Sequence, residues 1–125
     1  MKRNMELCRK ILFAIEEQYV DAVIVNLKID GYRDEEIAYN CSLLSDAGLI
    51  KSYKSQNADN HLYVYYVGAL TWEGHNFIDN IREDTIWNNT KKKIKEKALP
   101  MTLEVIREIS SALVAAMAKA AGGSL

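Results

Sequence analysis

Cationic side chains crowd one stretch of this chain, Lys91-Lys92-Lys93-Ile94-Lys95-Glu96-Lys97. Ammonium groups at this density can neutralise phosphates, or they can coat a solvated helix face. A second group is Lys51, Tyr53 and Lys54 with Tyr63 and Tyr65. Cations interleaved with aromatic rings can hold unpaired bases by stacking. The same tyrosines can also serve only to cover a sheet and its cross-strand pairs. A third group is Arg33, Tyr39, Asn40 and Ser42. It offers one cation and three hydrogen-bonding side chains able to reach base edges. The candidate nucleic-acid-binding set is therefore Arg33, Tyr39, Asn40, Ser42, Lys51, Tyr53, Lys54, Lys91, Lys92 and Lys93.

Covalent and metal chemistry find less material. Cys8, Cys41, His61 and His75 show no C-x₂-C or comparable ligand spacing, so no metal and no cofactor are expected. G-x-S-x-G, P-loop and H-E-x-x-H patterns are absent from the sequence. Glu35 and Glu36 are adjacent, so on a helix they point to different sides and do not pair as acid and base. The chain is read as a non-enzyme.

The elements that position these residues follow from periodicity. Met5, Cys8, Ile11, Leu12, Ile15 and Tyr19 recur at three- and four-residue steps, a helix over 5–18 with Asn4 as its cap. Residues 23–30 alternate, with Val25, Leu27 and Ile29 inward, and predict a half-buried strand. A second helix runs over 34–47, capped by Asp34. Its inner stripe is Ile37, Cys41 and Leu44, and Gly48 is the left-handed residue beyond its end. Cys8 and Cys41 lie on inner stripes and are read as core. Strands at 51–55 and 61–68 flank the polar connector 56–60, a hairpin with a longer loop. Thr71 caps a helix over 72–82, in which Gly74 permits close backbone approach.

The chain then changes character. Residues 1–84 carry 9 Lys/Arg against 14 Asp/Glu, whereas 85–125 carry 7 against 3. A basic helix is expected over 85–97, broken by Pro100. Thr102 caps a last helix to about 121, with Ile106, Ile109, Leu113 and Met117 along one face. That stripe calls for cover, either inside the chain or in a two-fold dimer, and a homodimer through these four residues is the expectation. The division expected is a domain at 1–84 and a helical extension at 85–125.

Helix, strand, helix, hairpin, helix is the order of a winged helix, giving an α+β fold class followed by two C-terminal helices. At 125 residues and a net charge of −1, the whole is one domain's worth of ordinary globular composition, not a globally cationic polyanion binder. No 18-residue apolar run and no signal-peptide pattern occur, so no membrane span is expected, and the cytoplasm, with reduced thiols, is the expected location.

Several phrases carry a resemblance. Met1-Lys2-Arg3-Asn4-Met5 with Arg9-Lys10-Ile11-Leu12 is followed by Glu35-Glu36-Ile37-Ala38-Tyr39, Leu43-Leu44 and Ala47-Gly48-Leu49-Ile50. Leu70-Thr71-Trp72-Glu73-Gly74-His75 and Asp84-Thr85-Ile86-Trp87 complete the set. On these the chain resembles the winged-helix family known as domain of unknown function 2513, from bacteria and their phages. The resemblance implies the fold and a phage or prophage setting. It implies no activity and no catalytic residues.

The helix at 34–47 would read DNA in an ordinary winged helix. Its expected outward face is Glu35, Tyr39, Ser42 and Asp46, with two carboxylates and no cation. Between Gly31 and Gly48 there is room for one helix, so the usual positioning helix is missing or reduced to a turn. The expected function, from the fold's commonest use, is a phage or prophage nucleic-acid-binding regulator; the alternative is an interaction module for a host or phage protein without DNA binding.

Overall fold

The computed structural model describes residues 1–123. Among them the order is α1 (Met5–Gln18), β1 (Ile24–Val25), α2 (Asp34–Asp46), β2 (Tyr53–Ala58), β3 (His61–Val67), α3 (Trp72–Asn80), α4 (Asp84–Glu96) and α5 (Leu103–Gly123). The fold is α+β: five helices and a three-stranded antiparallel sheet of order β1-β3-β2, a winged-helix-like arrangement with C-terminal helices. The chain forms two compact units, one from Met1 to Asn76 and one beginning at Phe77, so the boundary falls inside α3.

In the first unit, Met5, Leu7, Cys8, Ile11, Leu12 and Ile15 of α1 are buried, as are Ile37, Ala38, Asn40, Cys41 and Leu44 of α2. Asn4 caps α1, its Oδ1 accepting the Leu7 N–H at 3.1 Å. At α2 the cap position belongs to Arg33, one residue earlier than expected. Its N–H donates to the Glu36 carboxylate at 3.3 Å, and Asp34 opens the first turn, where the helix dipole favours an anion.

The strand expected at 23–30 survives only as Ile24–Val25. Asn26 is the reason. It sits in the left-handed region at φ 51°. Its N–H donates to the Tyr65 carbonyl at 2.8 Å, while its side-chain Oδ1 accepts the Tyr65 N–H at 3.0 Å. The side chain thereby takes the place of the next ladder acceptor, and the chain leaves the sheet. The phase shifts with it: Leu27 is buried, but Val25, expected inside, is 54% exposed.

The hairpin differs too. β2 extends to Ala58 and pairs with His61, so the loop is only Asp59-Asn60. Both residues have positive φ, 51° and 63°, which a tight two-residue turn matching strand twist requires. Polarity alone makes residues 56–60 look like a loop. Exposed edge-strand residues are polar as well, and the pairing shifts by a bulge at Gln56/Asn57.

The junctions around the wing follow from local chemistry. α2 ends with Gly48 at φ 80°, the Gly48 N–H on the Ser45 carbonyl and the Leu49 N–H on that of Leu44. That is a Schellman closure, and buried Leu49 folds back onto the helix end. On the far side of the hairpin, Thr71 Oγ1 donates to the Gly48 carbonyl at 2.6 Å and accepts the Gly74 N–H at 3.0 Å. A Cβ on Gly74 would lie 2.2 Å from the Leu49 carbonyl oxygen, so that position holds no side chain.

In the second unit, α4 buries Ile86, Trp87, Thr90 and Ile94 and packs on α5. Thr102 Oγ1 accepts the Val105 N–H at 3.2 Å and caps α5. α4 ends before Pro100 through a second Schellman closure, with the Ala98 N–H on the Lys95 carbonyl and the Leu99 N–H on that of Ile94. Here alanine occupies the left-handed position, at φ 52°.

Gly74 and Ala98 predict opposite responses to substitution. Gly74→Ala should destabilise the protein by about 1–3 kcal/mol, because backbone must move to admit the methyl. Ala98→Gly should stabilise it by about 1 kcal/mol, by relieving the left-handed penalty. Chemical denaturation with far-ultraviolet circular dichroism reads both; equal midpoints for Ala98→Gly and the parent would show no strain there.

Candidate nucleic-acid and protein interface

The candidate nucleic-acid residues of the first unit do not all reach its surface. Asn40 is the clearest correction: it is 1% exposed. Its Oδ1 accepts the Asn4 N–H at 2.8 Å and faces the Cys8 Sγ at 3.5 Å, while its Nδ2 donates to the Glu36 carbonyl at 2.9 Å. The amide is consumed in docking α1 on α2 and cannot reach a base. Position 40 adjoins the inner stripe of Ile37, Cys41 and Leu44, and that adjacency was the signal that it turns inward.

Arg33 is exposed, but its guanidinium lies 3.2 Å from the Glu36 carboxylate. Lys28 is likewise held by Asp34 at 2.6 Å. Tyr39 is 37% exposed. The Ser42 hydroxyl donates to the Tyr39 carbonyl at 2.6 Å, the back-bonding common for serine inside helices. Exposed Glu35 and Asp46 complete the outward face.

On the wing, Lys51 and Lys54 are exposed and Tyr53 is half-buried. Tyr65, proposed as a stacking platform, is buried at 1%. Its hydroxyl donates to the Leu27 carbonyl, and its ring lies 6.5 Å from that of Tyr53. Tyr63, by contrast, is 72% exposed. Register separates the cation from the inner rings: Lys54 pairs with Tyr66, whereas Ser55 pairs with Tyr65, so Lys54 stands on the opposite face from Tyr65. From Asp34 to Val67 there are five carboxylates and two lysines.

In the second unit, Lys92, Lys93, Lys95 and Lys97 are exposed. The Lys91 ammonium lies 5.3 Å from the centre of the buried Trp87 ring, a cation–π contact. The helical repeat puts Lys91, Lys92 and Lys95 on one flank of α4 and Lys93 and Lys97 on the other. The four expected dimer residues also separate. Ile106 is fully buried and offers no surface to a partner. Ile109 and Leu113 are half-buried, and Met117 is 59% exposed. Trp72, which the sequence pattern marks for no site, is 79% exposed at the start of α3. A first-turn position directly after a cap was the available signal.

Burial pushes the Cys8 thiol up to about 11, partly offset by Arg3, and the Cys41 thiol up to about 12, with the neighbouring Cys8 adding to it. The Tyr65 hydroxyl is raised as well, chiefly by burial. Among the described residues no group of three or more His, Cys, Asp or Glu could hold a metal ion. No helix among them is long and apolar enough to cross a membrane.

The fold is thus α+β and winged-helix-like, and the outward face of α2 carries Glu35 and Asp46. The family described as "Hypothetical protein (DUF2513)" matches residues 2–100, and the chain belongs to it. A protein of Haemophilus influenzae described as "Uncharacterized protein" is 35% identical over 120 residues, which span 94% of this chain and 98% of that one. No solved structure matches the chain.

The thiol shifts give a pH dependence with a definite sign. Both folded values lie above the ordinary 9.0, so the fold holds protons that the unfolded chain releases. The stability this provides is present below pH 9 and is lost as the pH rises from about 9 towards 11–12. Guanidinium unfolding at pH 8, 9 and 10.5 should show falling midpoints above pH 9 for the parent, and a weaker fall for Cys41→Ala.

Proposed function

We propose that this chain is a non-enzymatic protein-interaction module on a winged-helix-like fold, acting in the cytoplasm on a partner protein of host or phage origin. The observation that carries the reading is the charge of the segment that would read DNA: five carboxylates against two lysines between Asp34 and Val67. Phosphate neutralisation supplies most of non-specific DNA affinity, and an acidic face works against it. The two cations flanking the start of α2, Lys28 and Arg33, already face carboxylates of this chain. The amide best suited to read adenine, on Asn40, is buried. What remains outward on α2 is Glu35, Tyr39 and Asp46, a face that suits a basic protein surface.

A second reading, the nucleic-acid-binding regulator of a phage or prophage, draws support from the exposed lysines of α4. On that reading the contact is sequence-independent and made by α4, not by α2 or the wing.

Fluorescence anisotropy with a labelled 30-base-pair duplex at 50 and 200 mM salt separates the two. The interaction-module reading expects no binding tighter than about 100 μM at 200 mM salt, the weak end of non-specific affinity. Tight binding with a steep negative salt slope, abolished by exchanging Lys91, Lys92 and Lys93 for Glu, would establish the regulator instead.

A further inference from the structure

We infer that α5 is a self-association helix that pairs antiparallel with α5 of a second copy, about a two-fold axis passing between Leu113 and Val114. The first observation is length. α5 has 21 residues and α4 has 13, so at 1.5 Å per residue they measure about 31 and 20 Å. α4 therefore covers only part of α5. Burial along α5 shows where cover stops: Ile106 and Ser110 are buried, Ile109, Leu113 and Val114 are half-buried, and positions 115–122 are exposed. The overhang is alanine-rich and includes Met117.

Beside it runs an open groove between α4 and α5, lined by Lys93, Lys97, Ile109, Ala112, Leu113 and Ala116. It is apolar along its floor and cationic along one rim. Ile109, Leu113, Ala116 and Ala120 fall on one line of the helix, the seam that a second helix would fill.

The occupant is identified by charge. Glu108 and Lys119 are both exposed and eleven residues apart, three turns to within about 20°. They therefore lie on one line flanking the seam. In an antiparallel pair centred between Leu113 and Val114, Glu108 of each copy stands opposite Lys119 of the other. The same centring places Ala112 against Ala115 and lays each overhang along the half of the other α5 that α4 braces. In a parallel pair the flank carrying Glu108 and Lys119 lies on opposite edges of the seam in the two copies, so neither residue meets its complement. Opposite charges flanking an apolar seam set partner orientation in helix pairs. The inference rests on α4 and α5 and stands apart from the reading of α2.

Size-exclusion chromatography with light scattering, from 5 to 200 μM, tests it on the full chain. The expected result is a species of twice 14.2 kDa that dissociates on dilution. Glu108→Lys alone and Lys119→Glu alone should each weaken the dimer about tenfold, since each places two like-charged pairs across the two-fold. Glu108→Lys with Lys119→Glu on the same chain should restore it. Leu113→Glu should give monomer with unchanged circular dichroism. A monomer throughout the range would overturn the proposal. So would a dimer indifferent to the single exchanges, or one the double exchange fails to restore. Both charged positions are exposed, so the exchanges test association and not folding.

Discussion

The carboxamide of Asn40 fixes the relation of the first two helices, and much of the first unit depends on it. A buried amide must find partners inside the protein, because an unsatisfied one costs about 1–3 kcal/mol. Its oxygen accepts the first N–H of the α1 entry, at Asn4, and its nitrogen donates to a carbonyl of α2 itself. Asn4 in turn caps α1. One side chain thus couples the start of one helix to the body of another, and the apolar stripes of both then close over each other. Once that docking is fixed, so is the face of α2 that stays outside, and that face is acidic.

The wing is held by a second set of local constraints. The Leu49 carbonyl fills the space where a side chain on Gly74 would be, and Thr71 bonds to both Gly48 and Gly74. The hairpin is thereby anchored at its feet by the close Gly74–Leu49 backbone approach and by the Thr71 hydroxyl. Its base is tied again by Asn26 and by the Tyr65 hydroxyl on Leu27. These interactions position a ribbon; they do not charge it. Two lysines stand at its base, and Asp59 alone carries a formal charge at its tip. The ribbon therefore carries little positive charge for phosphate contact.

The second unit is organised differently. α4 has one apolar face, which includes Trp87, and lysines spread around the rest. Those lysines solvate the helix and frame a groove, and they do not converge on one stripe. α5 is apolar beyond the reach of α4, so the uncovered length rather than the composition is what makes it a candidate for association.

Helix periods, caps and stops in this chain were legible in its sequence, because they depend on residues three or four apart. The Asn4 and Thr71 caps, Gly48 beyond α2 and the close approach at Gly74 are all of this kind. So was the family, carried by short phrases spread along the chain. The length of β1, the two-residue turn at Asp59-Asn60 and the fates of Asn40 and Tyr65 were not legible. Each depends on a partner 36 to 39 residues away or on cross-strand register, and neither is written in local spacing. The sequence by itself determined which residues could touch nucleic acid. Tertiary structure alone decided which of them remain outside, because a polar side chain beside an apolar stripe turns inward only when another element supplies its hydrogen bonds.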